Sequence, residues 1–526
     1  MRGESTPVQP FPLETRVKLR ATMTAAVLAA SSVAFGIAGL GTVETADTSI
    51  DAYKTQRGDV IDTSPIGEVV RDYDTTRAMG MEAVVNVDVG EATDMQFQRR
   101  TETVLVNGVE TEVVKDYAFV GISDIGGSFN GFDILDITDP TNPVSVLPEG
   151  RMTCGGFHND IAVWRDYMVI GHDGSAGPCD TAPEPTYAPG VTVFDVSDVS
   201  DPKFLFHDVA TTGTSVTDGP DPVFGIPLLQ GVHNISIHPD GIVHFAAASF
   251  EADNPGFGYL DLNGDPDDWE QVAYPIRDIS PAATDGCHDM GYDFTGETPL
   301  MVCPAIESTF IWDITDPKQP TQVAAIPNPA INIHHGGRFS PDGSTVLLGD
   351  ELAGAGAPSG CFNGGPVGAI FTYDMTVPEA PLPTGYLSAS EGPGAIETCT
   401  SHFYNFVPTL DGPQKVVTGW YGGGMVVHDL TPVTEAPIAS GGPLGVAPEI
   451  AHIEPTGAEM WNAYAYRGHV FGNSYTGTTG FFVATLDDYT GTDDAELAPY
   501  CNDVGIVWGP WTEDWQSECR NPGDEA

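Results

Sequence analysis

The chain has 526 residues and carries 74 acidic against 20 basic side chains, a formal net charge of −54. A charge of this sign excludes nucleic-acid binding and disfavours contact with an anionic membrane, because no basic patch could outweigh the surrounding field. The acidic residues are spread along the whole chain, which is compatible with cationic ligands, with calcium or with a salty habitat.

Residues 1–46 have the layout of a secretory signal. Arg16, Lys18 and Arg20 precede an apolar stretch of small residues at 21–40, and Thr-Ala-Asp follows at 45–47. A basic start, an apolar centre and small residues before the cleavage point are typical of signal peptides. The apolar stretch approaches the length that spans a membrane, so a retained anchor is the alternative.

The region after this segment is predicted to be a linker or N-terminal arm, over residues 47–100. Its first part, up to about residue 80, is polar and poorly periodic. Residues 81–89 (MEAVVNVDV) and 104–114 (VLVNGVETEVV) read as strands. These two segments either open the repeats that follow or close them into a ring.

A repeated pattern fills the chain from about residue 101 to 490. In the four clearest copies a short apolar run is followed by Asp, an aliphatic residue and Thr or Ser, as in GFDILDITDP at 131–140, and three weaker copies resemble it. The marker aspartates are Asp136, Asp195, Asp261, Asp313, Asp374, Asp429 and Asp487. Units of this size, built from short strands and turns, are typical of propeller blades, so we predict an all-β fold, a seven-bladed β-propeller.

The marker aspartates are interpreted as turn-formers rather than catalysts. A carboxylate at a strand end accepts backbone N–H bonds, and the proline found in several copies ends the strand.

Eight cysteines agree with export, because an even number in an exported chain indicates disulfides. The simplest connectivity joins neighbours in sequence, although others remain open. The pairs are Cys154/Cys179, Cys287/Cys303, Cys361/Cys399 and Cys501/Cys519. The last pair predicts a short, stapled C-terminal tail over residues 491–526.

Histidines recur where the first strand of successive blades is predicted to begin. In a propeller that strand lines the central channel, so equivalent residues form a ring, and neutral imidazole is a common transition-metal ligand. Each histidine taken alone could instead bond a neighbouring blade. The candidate ligands are His158, His233, His288, His334, His335 and His402, with only one of the adjacent pair able to face inward. His452 has a different offset and is the weakest candidate.

Carboxylates could complete such a site. Glu351 ends the second strand of blade five and is a candidate ligand or general base, or else a solvated loop acid. Asp160 lies two residues after His158 and should share its face, whereas Asp289, one residue after His288, should not.

The marker segments, ILDITDPTNP most clearly, resemble the LVIVD repeat of secreted bacterial β-propellers of the actinobacterial type. The likeness covers residues 117–487 and implies a propeller fold and export, but no activity. A more distant resemblance is to the selenium-binding protein and methanethiol oxidase group, which implies channel histidines and a suspected copper. The cysteine-rich signature of that group is absent from this sequence.

Three functions are compatible with these features. The first is a secreted or cell-surface protein, expected to be a monomer, that binds a small polar or protein ligand, with a transition metal (Cu, Zn or Fe) at the histidine ring. The second is a metal-dependent oxidoreductase or hydrolase that uses the same ring. The third is a metal-free interaction scaffold without any cofactor.

Overall fold

Seven sheets, antiparallel except for one added strand, make up the fold in a computed structural model of the chain. The residues described are 69–70, 75–123, 130–148, 150–155, 157–173, 179, 190–209, 232–246, 256–269, 271–275, 287–351, 368–389, 400–408, 414–434, 444–476 and 480–491. All of them belong to one compact unit that begins at Ser64. The predicted signal segment and C-terminal tail lie outside these residues, apart from residue 491 at the start of the tail.

Each sheet is one blade, and four strands run from the channel outward in most of them. Blade one contains Ala92–Val106 (β4), Val109–Ser123 (β5), Asn130–Asp136 (β6) and Val144–Ser145 (β7), with Met152–Thr153 (β8) also on β6. Blade two contains Phe157–Trp164 (β9), Tyr167–Asp173 (β10), Gly190–Asp195 (β11) and Lys203–Val209 (β12). Blade three contains Asn234–His238 (β13), Ile242–Ala246 (β14), Gly256–Asp261 (β15) and Gln271–Pro275 (β16). Blade four contains Gly291–Asp293 (β17), Leu300–Ala305 (β18), Ser308–Asp313 (β19) and Thr321–Ile326 (β20).

The remaining blades carry additional strands. Blade five contains His334–Phe339 (β21), Thr345–Asp350 (β22), Ile370–Asp374 (β23) and Leu382–Leu387 (β24), with Gly445–Ala447 (β28) parallel to β24. Blade six contains Tyr404–Val407 (β25), Lys415–Gly419 (β26), Met425–Asp429 (β27), Glu449–Pro455 (β29) and Thr75–Met79 (β2). Blade seven contains Met460–Tyr466 (β30), His469–Ser474 (β31), Phe481–Leu486 (β32), Met81–Val87 (β3) and Val69–Val70 (β1). The helices described are one turn at Thr431–Thr434 (α1) and a 3₁₀ turn at Pro266–Asp268.

Strands from the N-terminal arm complete the last two blades. β3 pairs with β32 as the fourth strand of blade seven, and β2 adds to β29 at the outside of blade six. The propeller sheets therefore begin well before the boundary at residue 101, and β4 is already the first strand of blade one. β2 and β3 join the blades because they have no sheet of their own. Pairing with the blade edges gives their backbone N–H and C=O groups hydrogen-bond partners.

The marker aspartates form the turns that the sequence predicts. In six of them the carboxylate Oδ1 accepts the backbone N–H two residues on, at 2.8–3.0 Å. Each of the six is the last residue of the third strand of its blade: Asp136, Asp195, Asp261, Asp313, Asp374 and Asp429. Asp487 differs, since its backbone N–H donates to the carbonyl of Gly80 at 2.9 Å.

Two of the predicted disulfides are present, Cys154–Cys179 and Cys287–Cys303. The other four cysteines lie outside the described residues. Among the described residues, no helix has the length and apolar character needed to cross a membrane.

Apolar clusters between neighbouring blades form a closed circuit. Buried side chains pack between blades one and two, two and three, and so on around to blades seven and one. The circuit closes where Phe97 of β4 stacks on Tyr466 of β30 with ring centroids 4.5 Å apart. This closure confirms the predicted seven-bladed ring and brings the starts of the first strands together around one axis.

Candidate metal centre

Six aromatic side chains, one from each of blades two to seven, form a closed ring at the start of the first strands. Consecutive ring centroids are 4.0–5.0 Å apart in the order His158, His233, His288, His335, His402, Trp461 and back to His158. Each of the six side chains therefore contacts the next around the ring.

The backbone around the ring adopts conformations that are rare for ordinary residues. His158 has a φ of 67° and Tyr421, which contacts His402, has a φ of 39°. A register shift follows His335, where Gly336 has a φ of 53° and a Cβ would lie 3.0 Å from the Tyr404 ring. Backbone strain and bulges of this kind cluster at functional sites, where they direct side chains.

His288, His335 and Glu351 form a group with metal-ligand chemistry. One ligand atom of each lies within 4.8 Å of the others. Glu351 Oε2 is 3.6 Å from His335 Nε2, and Glu351 Oε1 is 3.7 Å from His402 Nε2. Glu351 follows β22, and Tyr421 donates a hydrogen bond of 3.0 Å from its hydroxyl to Oε1. The side chain of Glu351 is 24% exposed whereas those of His335 and His402 are 1% exposed, so the group is reached from the glutamate side.

His335 is the member of the group whose ring nitrogens lack hydrogen-bond partners among the described residues. Its side chain is buried. Leaving buried polar atoms unsatisfied costs about 1–3 kcal/mol each. Burial lowers the pKa of His335 to about 3, although Asp289 opposes this shift. The imidazole is therefore neutral at ordinary pH, which is the form that binds metals.

His402 shares this protonation state. Burial, with a further contribution from neighbouring His335, lowers its pKa to about 3. Its Nδ1 lies 2.7 Å from the carbonyl of Trp461, so Nε2 is the nitrogen that faces Glu351.

Asp289 lies at the site, contrary to the expectation from strand alternation. Its Oδ2 is 3.1 Å from His288 Nδ1 and 3.5 Å from His335 Nε2, and it accepts the Gly336 N–H at 2.7 Å. The alternation rule does not apply because His288 and Asp289 precede β17, in irregular backbone. Burial would raise the pKa of Asp289, but His335 and His288 outweigh it and hold that pKa well below its usual value. An ionised carboxylate at this position orients both imidazoles.

The other predicted histidines divide into three cases. His158 and His233 are ring members whose Nδ1 atoms lie 3.1 Å apart, but they are outside the group with Glu351. His334 is not in the ring, since its Nδ1 lies 2.8 Å from the Thr309 hydroxyl of blade four. His452 lies on the outer strand β29, where its Nδ1 is 2.6 Å from Glu449 Oε1.

Asp160 belongs to a second polar layer rather than to the ring. Its Oδ2 accepts the Ile235 N–H at 2.5 Å. Burial raises the pKa of Asp160 well above its usual value, and the nearby Asp94 carboxylate raises it further. Asp94 in turn accepts the Tyr464 hydroxyl at 3.0 Å. Two carboxyls this close disfavour each other's ionised form.

Three aromatic residues of the site escape sequence reasoning. Trp461 occupies the ring position of blade seven and contacts both His402 and His158. Tyr475 packs on Trp461 at 4.7 Å, and Tyr421 contacts His402 at 5.0 Å. Trp461 lies at the start of the first strand of blade seven, and this position indicates a ring residue. A pattern of repeated histidines does not include it because the residue type differs.

The chain matches no protein-family model and no curated protein. Among solved structures, a protein from Lactobacillus plantarum is 10% identical over 68% of this chain and 89% of that chain, with a TM-score of 0.44. A hypothetical selenium-binding protein from Sulfolobus tokodaii is 12% identical over 65% and 78%, with a TM-score of 0.37. A Pseudomonas aeruginosa periplasmic gluconolactonase is 11% identical over 69% and 99%, with a TM-score of 0.41. Similarity at this level carries no argument about what this chain does.

Proposed function

We propose that the protein is a metal-binding β-propeller that holds one transition-metal ion through His288, His335 and Glu351. The observation that carries this proposal is the buried His335, whose two ring nitrogens have no hydrogen-bond partner among the described residues and face a carboxylate and a second imidazole. A metal ion would satisfy one of these nitrogens and balance the charge of Glu351. His402 is near enough to Glu351 to serve as a further ligand.

The ligand chemistry favours zinc, copper or iron. Two imidazoles and a carboxylate are borderline ligands that suit these ions, whereas calcium and magnesium prefer oxygen ligands alone. The two buried imidazoles His335 and His402 are neutral at ordinary pH, so binding requires no proton release from them.

Metal analysis of protein purified without an affinity tag tests the proposal. We expect one equivalent of zinc, copper or iron by mass spectrometry, and loss of that equivalent in His335→Ala. Glu351→Gln should weaken the affinity about tenfold or more, since changes even in residues around a metal ligand have effects of that size.

Two matched controls accompany these variants. His334→Asn changes the adjacent histidine, which bonds Thr309 instead of facing the ring, and should keep the metal. Glu379→Gln removes one negative charge from an exposed turn of blade five and should also keep it. Protein without any metal, or unchanged metal in His335→Ala, would leave only the metal-free interaction scaffold.

A metal-dependent hydrolase or oxidoreductase is the second candidate. Three protein ligands is the number that catalytic zinc sites keep, with water or substrate in the fourth position. The partial exposure of Glu351 supports access to such a position. In cobalt-substituted protein, a visible spectrum that changes on adding azide would indicate an open position, and an unchanged spectrum would indicate a closed, structural site.

Export to the cell surface or the medium, and membership of the LVIVD-repeat group, are part of the same proposal. The two disulfides support export because such bonds persist in oxidising compartments. Recovery of the mature chain from the medium or cell envelope, without residues 1–46, would establish it.

A further inference from the structure

The hairpin of blade one extends beyond its sheet as a two-stranded ribbon. β4 and β5 pair from Thr101 opposite Val114 out to Val106 opposite Val109, whereas β6 pairs with β5 only from Tyr117 to Ser123. Asn107 and Gly108 close the ribbon with φ angles of 53° and 82°, as a tight hairpin turn requires. Within the described residues, this ribbon has no neighbouring strand on either edge.

One face of the ribbon continues the side of blade one that packs on blade seven. Phe97 of β4 stacks on Tyr466, and Asp116 of β5 accepts the Tyr466 hydroxyl at 2.6 Å. Side chains alternate along strands, so every second pair further out lies on the same side. We call this side the ribbon face; it consists of Thr101, Thr103, Leu105, Glu110, Glu112 and Val114.

The ribbon face carries two exposed apolar side chains, Leu105 and Val114, beside threonines and glutamates. Leu105 is 73% exposed and Val114 is 47% exposed. Leu105 is the most exposed of the large hydrophobic residues in the described part of the chain. Natural proteins often cover strands that combine open edges with exposed apolar side chains.

The described chain ends beside the root of this face. Gly491 packs on the turn at Arg467 and Gly468, so closely that a Cβ would lie 2.3 Å from the Gly468 nitrogen. Arg467 Nε in turn lies 3.7 Å from Asp116 Oδ2, on the ribbon face side of β5. The segment 492–526 therefore begins next to residues that contact the base of the ribbon.

One stretch of this following segment has the matching composition. Residues 504–511 (VGIVWGPW) contain two tryptophans and no charge, in a chain with 74 acidic residues. Twelve residues separate Gly491 from Val504, and the thirteen steps from one to the other reach up to ~43 Å at about 3.3 Å per residue. The ribbon from Val109 to Asp116 is only about 24 Å long at ~3.4 Å per residue, so the stretch reaches all of it.

We propose that residues 504–511 pack on the ribbon face and cover Leu105 and Val114. The uncharged stretch meets no repulsion from Glu110 and Glu112. A second copy of the chain, with a net charge of −54, would meet strong repulsion. This docking surface is independent of the metal site.

Photocrosslinking in the full-length protein tests the docking. Benzoylphenylalanine replaces Leu105 in one variant and Val114 in another, so that one disturbed variant does not decide the outcome. Mass spectrometry of the irradiated protein should identify a crosslink, within one chain, to the peptide containing residues 504–511. The same group in place of Val377, which is 54% exposed on blade five, is the control and should not give this crosslink.

Each other outcome overturns the proposal. A crosslinked dimer would assign the ribbon face to contact between copies. A crosslink to another segment of the same chain would assign it to that segment. No crosslink from either position, in protein with unchanged circular dichroism, would show that nothing covers the face.

Discussion

His334 and His335 show how the position of one residue decides its chemistry. Both lie in β21, yet His334 bonds Thr309 of blade four while His335 reaches the ring. Side chains alternate along a strand, so adjacent residues of identical type must face different surroundings. The sequence restricts the ring position to one of the two, and only the blade geometry selects His335.

The buried carboxyl of Asp133 makes the free energy of unfolding depend on pH. Ser145 and Ile134 both donate to its Oδ1, at 2.6 and 2.7 Å, while Oδ2 has no partner among the described residues. Burial raises the pKa of Asp133 to about 7 from 3.8. Between these pH values the folded protein keeps a proton that the unfolded chain has released. The unfolding free energy therefore falls as pH rises through this window.

Asp133→Asn should remove that fall. The amide keeps the Oδ1 acceptor and cannot ionise. The unfolding free energy of the variant, relative to that of the wild type, should therefore rise by up to about 4 kcal/mol between about pH 4 and pH 8. Urea unfolding at several pH values measures the difference. Parallel curves for the two proteins across the window would show that Asp133 does not titrate there.

The candidate site is partly predictable from residues alone. Recurrence at one blade position identifies five ring histidines, and Glu351 is found because it ends a strand beside a long loop. Trp461 is missed because a different residue type fills the equivalent place in blade seven. Asp289 is placed wrongly because alternation was applied to irregular backbone before β17.

At the scale of one element, the aspartate turn that follows the third strand in six of the blades is a separable unit. In blade four, Asp313 Oδ1 accepts the Thr315 N–H at 2.8 Å and its hydroxyl at 2.6 Å. Asp313→Ala should lower the unfolding free energy by about 1 kcal/mol, as loss of a capping side chain does. Asp313→Asn keeps the acceptor oxygen, so the loss of unfolding free energy should be less than half of that in Asp313→Ala. Thermal unfolding of the two variants compares them, and equal losses would mean that the hydrogen bonds contribute nothing.

These turns were predictable because they are local. An aspartate, a following hydroxyl residue and a strand end lie within three residues, so the pattern contains the whole interaction. The same is not true of the N-terminal strands, whose partners lie near the other end of the sequence. Alternation indicated a strand at residues 81–89, but its place in blade seven depends on pairing that no local pattern specifies.

For the molecule as a whole, β3 is an integral part of the ring. Val85 of β3 is fully buried in the cluster between blades one and seven. Val85→Ala should lower the unfolding free energy by about 2 kcal/mol, through lost burial and the cavity left behind. Val144→Ala, at a position 51% exposed on blade one, is the control and should change it by less than about 0.5 kcal/mol. Chemical denaturation measures both, and equal stability would indicate that residues 81–87 are a dispensable arm.

The number of blades was readable from the repeated marker, since each copy predicts one sheet. The boundary of the propeller was not, because the closing strands carry no marker. Long-range closure is a property of the whole ring, and the sequence of any one repeat does not contain it.

Blade seven is built from both ends of the sequence, with Val87 opposite Phe481. A chain emerging from the ribosome can form its middle blades early, but it cannot finish the circle until its last repeat has been synthesised. Contacts this far apart in sequence make for slow folding, because the entropy of closing the loop is lost before the contact forms. Until that moment the edge of β3 that will pair with β32 is an open template, and assistance from chaperones would matter most then.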